Sequence, residues 1–102
     1  MNFVVLPEAQ VEAALTAAWY DDQSAGLGDQ FLAALTDGYQ RIRNGPQVLP
    51  RWEGYRGRHE IRRCLLRRFP YAVSFVCRPH ELVVIAVSHA RRRPFYWLER
   101  LG

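Results

Sequence analysis

The spacing of apolar residues changes twice along this chain. Phe3-Val4-Val5-Leu6 is a short unbroken apolar run and predicts a first strand. From Pro7 the spacing turns helical. Val11, Ala14, Leu15, Ala18 and Trp19 recur at i, i+3, i+4, i+7 and i+8, one face of a helix that is expected to turn inward. Pro7 suits the first turn, where its missing N–H removes no helical bond. Glu8 and Glu12 complement the positive end of the helix dipole. Asp21–Gly28 breaks the pattern, which resumes from about Asp29 with Phe31, Leu35, Gly38/Tyr39 and Ile42 on one face. Asn44-Gly45-Pro46 stops this second helix: two residues tolerant of left-handed backbone, then a proline that cannot continue it. The short connection predicts an antiparallel helix hairpin.

In the second half the period shortens. Gln47–Arg58, rich in Pro, Gly and Arg, reads as a loop leading into a strand over Ile61–Arg68. Tyr71–Arg78 and Leu82–His89 are apolar and β-branched around Pro79-His80-Glu81, which predicts a hairpin. With Cys77 opposite Leu82, one face carries Tyr71, Val73, Phe75, Cys77, Leu82, Val84, Ala86 and Ser88. The other carries Ala72, Ser74, Val76, Arg78, Val83, Ile85, Val87 and His89. The bulkier first face is expected beneath the helices. The second is apolar enough to need a cover that the chain has little left to supply, and a one-residue slip would exchange the faces. A short C-terminal helix is expected from Pro94. The order is β-α-α-β-β-β, an α+β fold with a helix hairpin on one face of an antiparallel sheet.

Length limits what such a chain can hold: 102 residues suffice for one domain over residues 1–102, without a large cofactor cradle. No apolar run approaches the roughly 18–20 residues needed to span a bilayer, and the N-terminus lacks the basic region and small-residue cleavage site of a signal peptide. The net charge of +4 is unevenly spread. Residues 1–50 hold two arginines against six acids, and residues 51–102 hold twelve against four, so the halves carry −4 and +8. A field of that kind favours an anionic partner, nucleic acid or an acidic protein. Every basic residue is arginine, which reflects either genomic composition or a need for bidentate anion contacts. Cys64 and Cys77 are the only cysteines and show no metal-ligand or disulfide-scaffold spacing. They are expected to be free, buried thiols in a reducing cytoplasm, with no metal and no cofactor.

The sharpest constellation is Arg91-Arg92-Arg93 beside His89 and Tyr96. Arginines can clamp phosphate, histidine can move protons near neutral pH, and tyrosine can stack on a base. The competing reading is a solvated basic tail with its aromatics folded onto the core. Arg62-Arg63 and Arg67-Arg68 extend either a basic groove or a merely soluble surface. His59 and His80 read as surface residues, and Trp19, Trp52 and Trp97 as core or lid. No Gly-rich phosphate loop, paired acids on one helix face or HExxH motif is present.

Together these segments resemble the RelE/ParE superfamily of bacterial toxins. The likeness runs through Pro7-Glu8-Ala9, Trp19-Tyr20, Gly26-Leu27-Gly28-Asp29-Gln30-Phe31 and Ile42-Arg43-Asn44-Gly45-Pro46. Its most specific parts are Arg67–Phe75 and Val87–Trp97. The resemblance implies the fold derived above and a cytoplasmic toxin of a type II toxin–antitoxin module. Its cognate antitoxin would be a small DNA-binding protein whose acidic, amphipathic C-terminal segment wraps it in a hetero-oligomer. The superfamily contains ribosome-dependent mRNA endonucleases and inhibitors of DNA gyrase. The nucleases carry an arginine where this chain has Ala72, and lysines before the second strand, whereas this chain has no lysine. His89 before an arginine run is closer to the ParE-like, plasmid-stabilisation members, which favours a non-catalytic gyrase inhibitor. Under the nuclease alternative His89, Arg91, Arg93 and Tyr96 would be catalytic; a basic adaptor without toxicity is a third reading. The antitoxin is expected on Arg78, Val83, Ile85, Val87, Arg91 and Arg93, and the cellular target on His89, Arg91, Arg92, Arg93 and Trp97.

Overall fold

A computed structural model describes residues 1–102. Strand β1 (Asn2–Val5) leads into helix α1 (Pro7–Gln23), which turns back through Ser24–Gly26 into α2 (Leu27–Asn44). A short 3-10 turn and a loop then precede β2 (Glu60–Leu65), β3 (Tyr71–Arg78) and β4 (Glu81–His89), and a last 3-10 turn spans Leu98–Leu101. The sheet order is β1-β4-β3-β2. The three later strands are antiparallel, as expected, but β1 runs parallel to β4, so the sheet is mixed. A parallel neighbour requires a crossover, and the helix hairpin supplies one by carrying the chain off β1 and over a single face.

Helix α2 buries Phe31, Leu35, Gly38 and Ile42, the face the periodicity predicts. Helix α1 does not follow its prediction. Its buried residues are Ala9, Ala13 and Ala17, while Val11, Leu15 and Trp19 are 57%, 66% and 55% exposed. The cause is the closeness of the hairpin. A Cβ at Gly28 would lie 2.4 Å from the Ala17 carbonyl oxygen, so the helices meet almost backbone to backbone. Only the alanine row can occupy that seam. The larger side chains, one helical stripe themselves, turn outward.

In the sheet Cys77 does pair with Leu82, but the β3–β4 register shifts by one residue at Ser74/Phe75. A β-bulge of this kind turns the following residues over. Val84 and Val87 both pack under the helices, and Ile85 and Ala86 face the other way. Val87, Ala86, Ser88 and His89 therefore exchange the faces predicted for them: Ser88 pairs with second-face Ala72, and His89 with helix-side Tyr71.

The second face is closed by the chain itself. Ile61, Val76, Val83, Ile85 and Ala86 lie beneath a buried Trp97, with Leu6, Trp52, Tyr55, Phe95, Tyr96 and Leu101 packed around them. Trp52 Nε1–H donates to the hydroxyl of Ser74 at 2.9 Å, which satisfies a fully buried polar group within this apolar layer. The expectation of an uncovered face fails because the loop before β2 and the C-terminal tail, both too irregular to carry a periodic signal, supply the cover. Cys64 is buried and Cys77 half-buried, both free. Burial, with Glu60 nearby, pushes the Cys77 thiol up to about 11, so neither is a ready thiolate at neutral pH. No helix is long and apolar enough to cross a membrane.

Candidate functional site

Three features stand out once the fold is in place: a latched C-terminal tail, a basic pocket beside it, and the outward stripe of α1.

The latch is built on Glu12. Beyond Val5 the strand β1 has ended, so the β4 edge presents unpaired backbone groups. Glu12 takes the place of a neighbouring strand. Its Oε1 accepts the Val87 N–H at 3.0 Å and Arg100 Nη1–H at 2.9 Å; its Oε2 accepts Arg100 Nη2–H at 3.0 Å and the Tyr96 hydroxyl at 2.5 Å. Arg100 Nη1–H also donates to the Ile85 carbonyl at 2.9 Å. Burial opposes ionisation of Glu12, but the bonds from Arg100, Tyr96 and Val87 outweigh it and hold its carboxyl below the ordinary glutamate range. Burial and the same carboxylate push the Tyr96 phenol up, so it keeps its proton. Nothing in the sequence marked Glu12 beyond its place near a helix start, because its partners are 75 to 88 residues away in the chain.

The basic pocket lies where β2, the end of β4 and the tail meet. Arg63, Ser88, His89, Arg92, Arg93 and Tyr96 line a cavity of about 10 Å³, and no carboxylate borders it. Arg63 projects from β2 with its guanidinium 5.2 Å from the Trp52 ring, and its buried Nε–H has no hydrogen-bond partner. Arg92 lies over the Tyr96 ring at 3.7 Å. His89 meets Tyr71 edge to face at 5.4 Å, and its Nδ1 accepts the Arg91 N–H at 3.1 Å. The arrangement is chemically suited to an anion. It places no carboxylate as a proton acceptor, and Ala72, buried in the cavity wall, brings only a methyl group to it.

The structure brings together His89, Arg92, Arg93 and Tyr96 and adds Arg63 from another strand. Arg91 is exposed next to them. Trp97 does not belong with them as a contact residue. It is 1% exposed and is the keystone of the second-face core, so it cannot meet a target while the tail is in place. The six residues expected to seat the antitoxin do not form a surface. Val83 and Ile85 are buried under the tail and Val87 under the helices. Arg78 ends β3, 3.6 Å from Glu81 at the start of β4, the far end of that strand from Arg91 and Arg93, ~25 Å away by strand rise.

The α1 stripe is the surface that periodicity found and misplaced. Val11, Leu15 and Trp19 stand one turn apart along solvent. Two open hollows adjoin them on either side of Glu12. One, about 390 Å³, is bordered by Val11, Glu8 and Arg100; the other, about 230 Å³, by Leu15, Thr16, His89 and Arg92. An apolar ridge with a partly basic margin suits an amphipathic segment bearing acids. No group of three or more His, Cys, Asp or Glu side chains stands together to hold a metal ion.

No family model and no curated protein matches the sequence. Among solved structures, the chain is similar to one described as the chromosomal ParDE TA system from P. aeruginosa, at 17% identity and a TM-score of 0.65. The match covers 87% of this chain and 95% of that one. At that identity the likeness is one of fold, and two helices packed on a four-stranded sheet are what the two chains share.

Proposed function

We propose that this chain is the toxin of a toxin–antitoxin pair, of the ParE-like kind that inhibits DNA gyrase, and that its antitoxin lays an acidic amphipathic segment along the outer face of α1. The observation that carries the reading is the stripe of Val11, Leu15 and Trp19, three large apolar side chains in helical register left in water on so small a chain. Similarity in fold to a ParDE toxin–antitoxin structure supports it. So does charge: the stripe borders the His89–Arg93 segment of a chain whose second half carries the positive excess.

Gyrase is favoured over messenger RNA as the target because the pocket is poor in proton-transfer groups. Tyr96 is tied to Glu12, Ala72 stands where the nuclease pattern needs an arginine, and arginine stays protonated through the physiological range. The convergence of three arginines on one cavity is the feature that favours the ribosome-dependent nuclease instead. Purified chain is expected to block supercoiling or trap gyrase–DNA cleavage complexes; cleavage of ribosome-bound mRNA with gyrase untouched would reverse the assignment.

The seat is tested on the stripe. Trp19→Ala is expected to weaken binding of the adjacent reading frame's product by roughly 30-fold or more, as a buried aromatic anchor does. Leu15→Glu should do so further by setting a charge in the apolar contact. Because both side chains are exposed in the free chain, thermal midpoints should stay near the parent's. Unchanged affinity in both variants, by titration calorimetry, would place the antitoxin elsewhere.

A further inference from the structure

We infer that the latched tail is part of the partner's seat. Tyr96, tied to Glu12, holds Arg92 at the rim of the hollow beside Leu15, where Arg92 takes a carboxylate of the docked segment. This role rests on the antitoxin lying along α1, and adds which residue fixes the polarity of that contact.

Three observations carry it. First, Tyr96 joins α1 to the tail. Its hydroxyl donates to Glu12 Oε2 at 2.5 Å, and its ring carries the Arg92 guanidinium at 3.7 Å and that of Arg100 at 5.2 Å. A ring anchored at its hydroxyl is a fixed platform, and a guanidinium stacked on it keeps its N–H groups free for an acceptor. Second, the two arginines differ in what they have left to give. Arg100 is committed to Glu12 and to the Ile85 carbonyl. Arg92 is exposed and makes no ion pair within the chain. It borders the hollow of about 230 Å³ beside Leu15, together with Thr16 and His89. Third, the two hollows differ in sign. The one of about 390 Å³ beside Val11 has exposed Glu8 at its margin, and its one cation, Arg100, is already paired. A carboxylate brought there is repelled by Glu8.

A segment lying on Val11, Leu15 and Trp19 is therefore held to one polarity. Its carboxylate meets Arg92, and an uncharged or basic side chain lies near Glu8, one helical turn away, ~6 Å along α1. Tyr96 lines neither hollow, so it acts on the partner through Arg92 and is a positioning residue.

The test is titration calorimetry of the adjacent reading frame's product against the full chain at low and high salt. Arg92→Gln should weaken binding several-fold and flatten its dependence on salt, because an exposed ion pair is lost. Tyr96→Leu should do the same, and Tyr96→Phe, which keeps the ring, should retain most of the affinity. The double variant Tyr96→Leu/Arg92→Gln should be no worse than either single one, the non-additivity of residues that act as a unit. Glu8→Gln should not weaken binding. Arg92 is exposed, so its variant answers the charge question even if Tyr96→Leu folds poorly. Full affinity and an unaltered salt dependence in Arg92→Gln would overturn the inference. So would additive losses in the double variant, equal losses in Tyr96→Phe and Tyr96→Leu, or a loss in Glu8→Gln matching that in Arg92→Gln. If Trp19→Ala weakens binding and Arg92→Gln does not, the seat on α1 stands and only the role of Tyr96 and Arg92 falls. If Trp19→Ala and Leu15→Glu bind as the parent does, the seat itself is wrong.

Discussion

Truncating Trp97 to alanine is expected to lower stability by about 3–5 kcal/mol, the usual cost of deleting a buried indole from a core. On a chain of this size that is a large share of roughly 5–15 kcal/mol in all. Trp97 is the most enclosed large side chain of the second-face core. Its ring lies 5.9 Å from Trp52 and 5.8 Å from Phe95, and it covers Val76, Val83 and Ile85. Phe95 adds a local strain. It holds φ at 68°, a left-handed conformation that costs an ordinary residue roughly 1–2 kcal/mol, and its ring packs on Gly54. Without Trp97 only the contacts of Phe95 with Trp52 and Tyr55 and the Glu12 latch remain to offset the strain, and the tail should loosen. Urea unfolding should show the loss, and a dye that binds apolar surface should fluoresce with the variant and not the parent. A loss under about 1 kcal/mol with no dye binding would mean that the tail does not close this face in solution.

Glu12→Ala should cost roughly 2–4 kcal/mol, between the penalty for one orphaned buried group and that for a broken buried ion pair. The side chains of Glu12 and Arg100 are 15% and 17% exposed, so solvent screens the pair only weakly. Removing the carboxylate strands the Arg100 guanidinium, the Val87 N–H and the Tyr96 hydroxyl together. The pH dependence follows from the sign of the shift. A carboxyl held below its ordinary range in the folded chain stabilises fully above that range, and loses the contribution as pH falls through its lowered folded value. The gap in stability between parent and Glu12→Ala should therefore be widest near neutrality and shrink in acid. A gap independent of pH would show that Glu12 acts through packing alone.

The sequence carried most of the architecture and little of the surface. The α2 face, the β3–β4 hairpin with its Cys77–Leu82 pairing and the β-α-α-β-β-β order are legible because they rest on local periodicity and turn chemistry. The failures have one physical origin. Helix α1 carries two apolar stripes, one of alanines and one of larger residues. Hydropathy ranks the larger above the smaller, whereas the closeness of α2 at Gly28 admits only alanine. The bulge beside Ser74 leaves no mark in a run where every residue is apolar or small, so Val87 and His89 were assigned to the wrong face. The cover of the second face comes from Trp52, Tyr55 and the tail, which have no period to read. The basic cluster was visible as composition, but Arg63 joins it only through strand pairing, and Glu12 joins the tail across almost the whole chain.

What separates the present reading from the sequence-based one is where the partner sits: on the outer face of α1, with the sheet's second face left closed. Replacing the three tryptophans by 5-fluorotryptophan gives each face its own reporter, since Trp19 lies on the α1 stripe and Trp52 and Trp97 lie in the cover of the sheet's second face. On adding the antitoxin, the ¹⁹F resonance of Trp19 should shift and lose its sensitivity to solvent deuteration, while those of Trp52 and Trp97 hold their positions. A Trp19 signal that does not move, with Trp52 and Trp97 displaced, would mean that the partner lifts the tail and takes the sheet face instead.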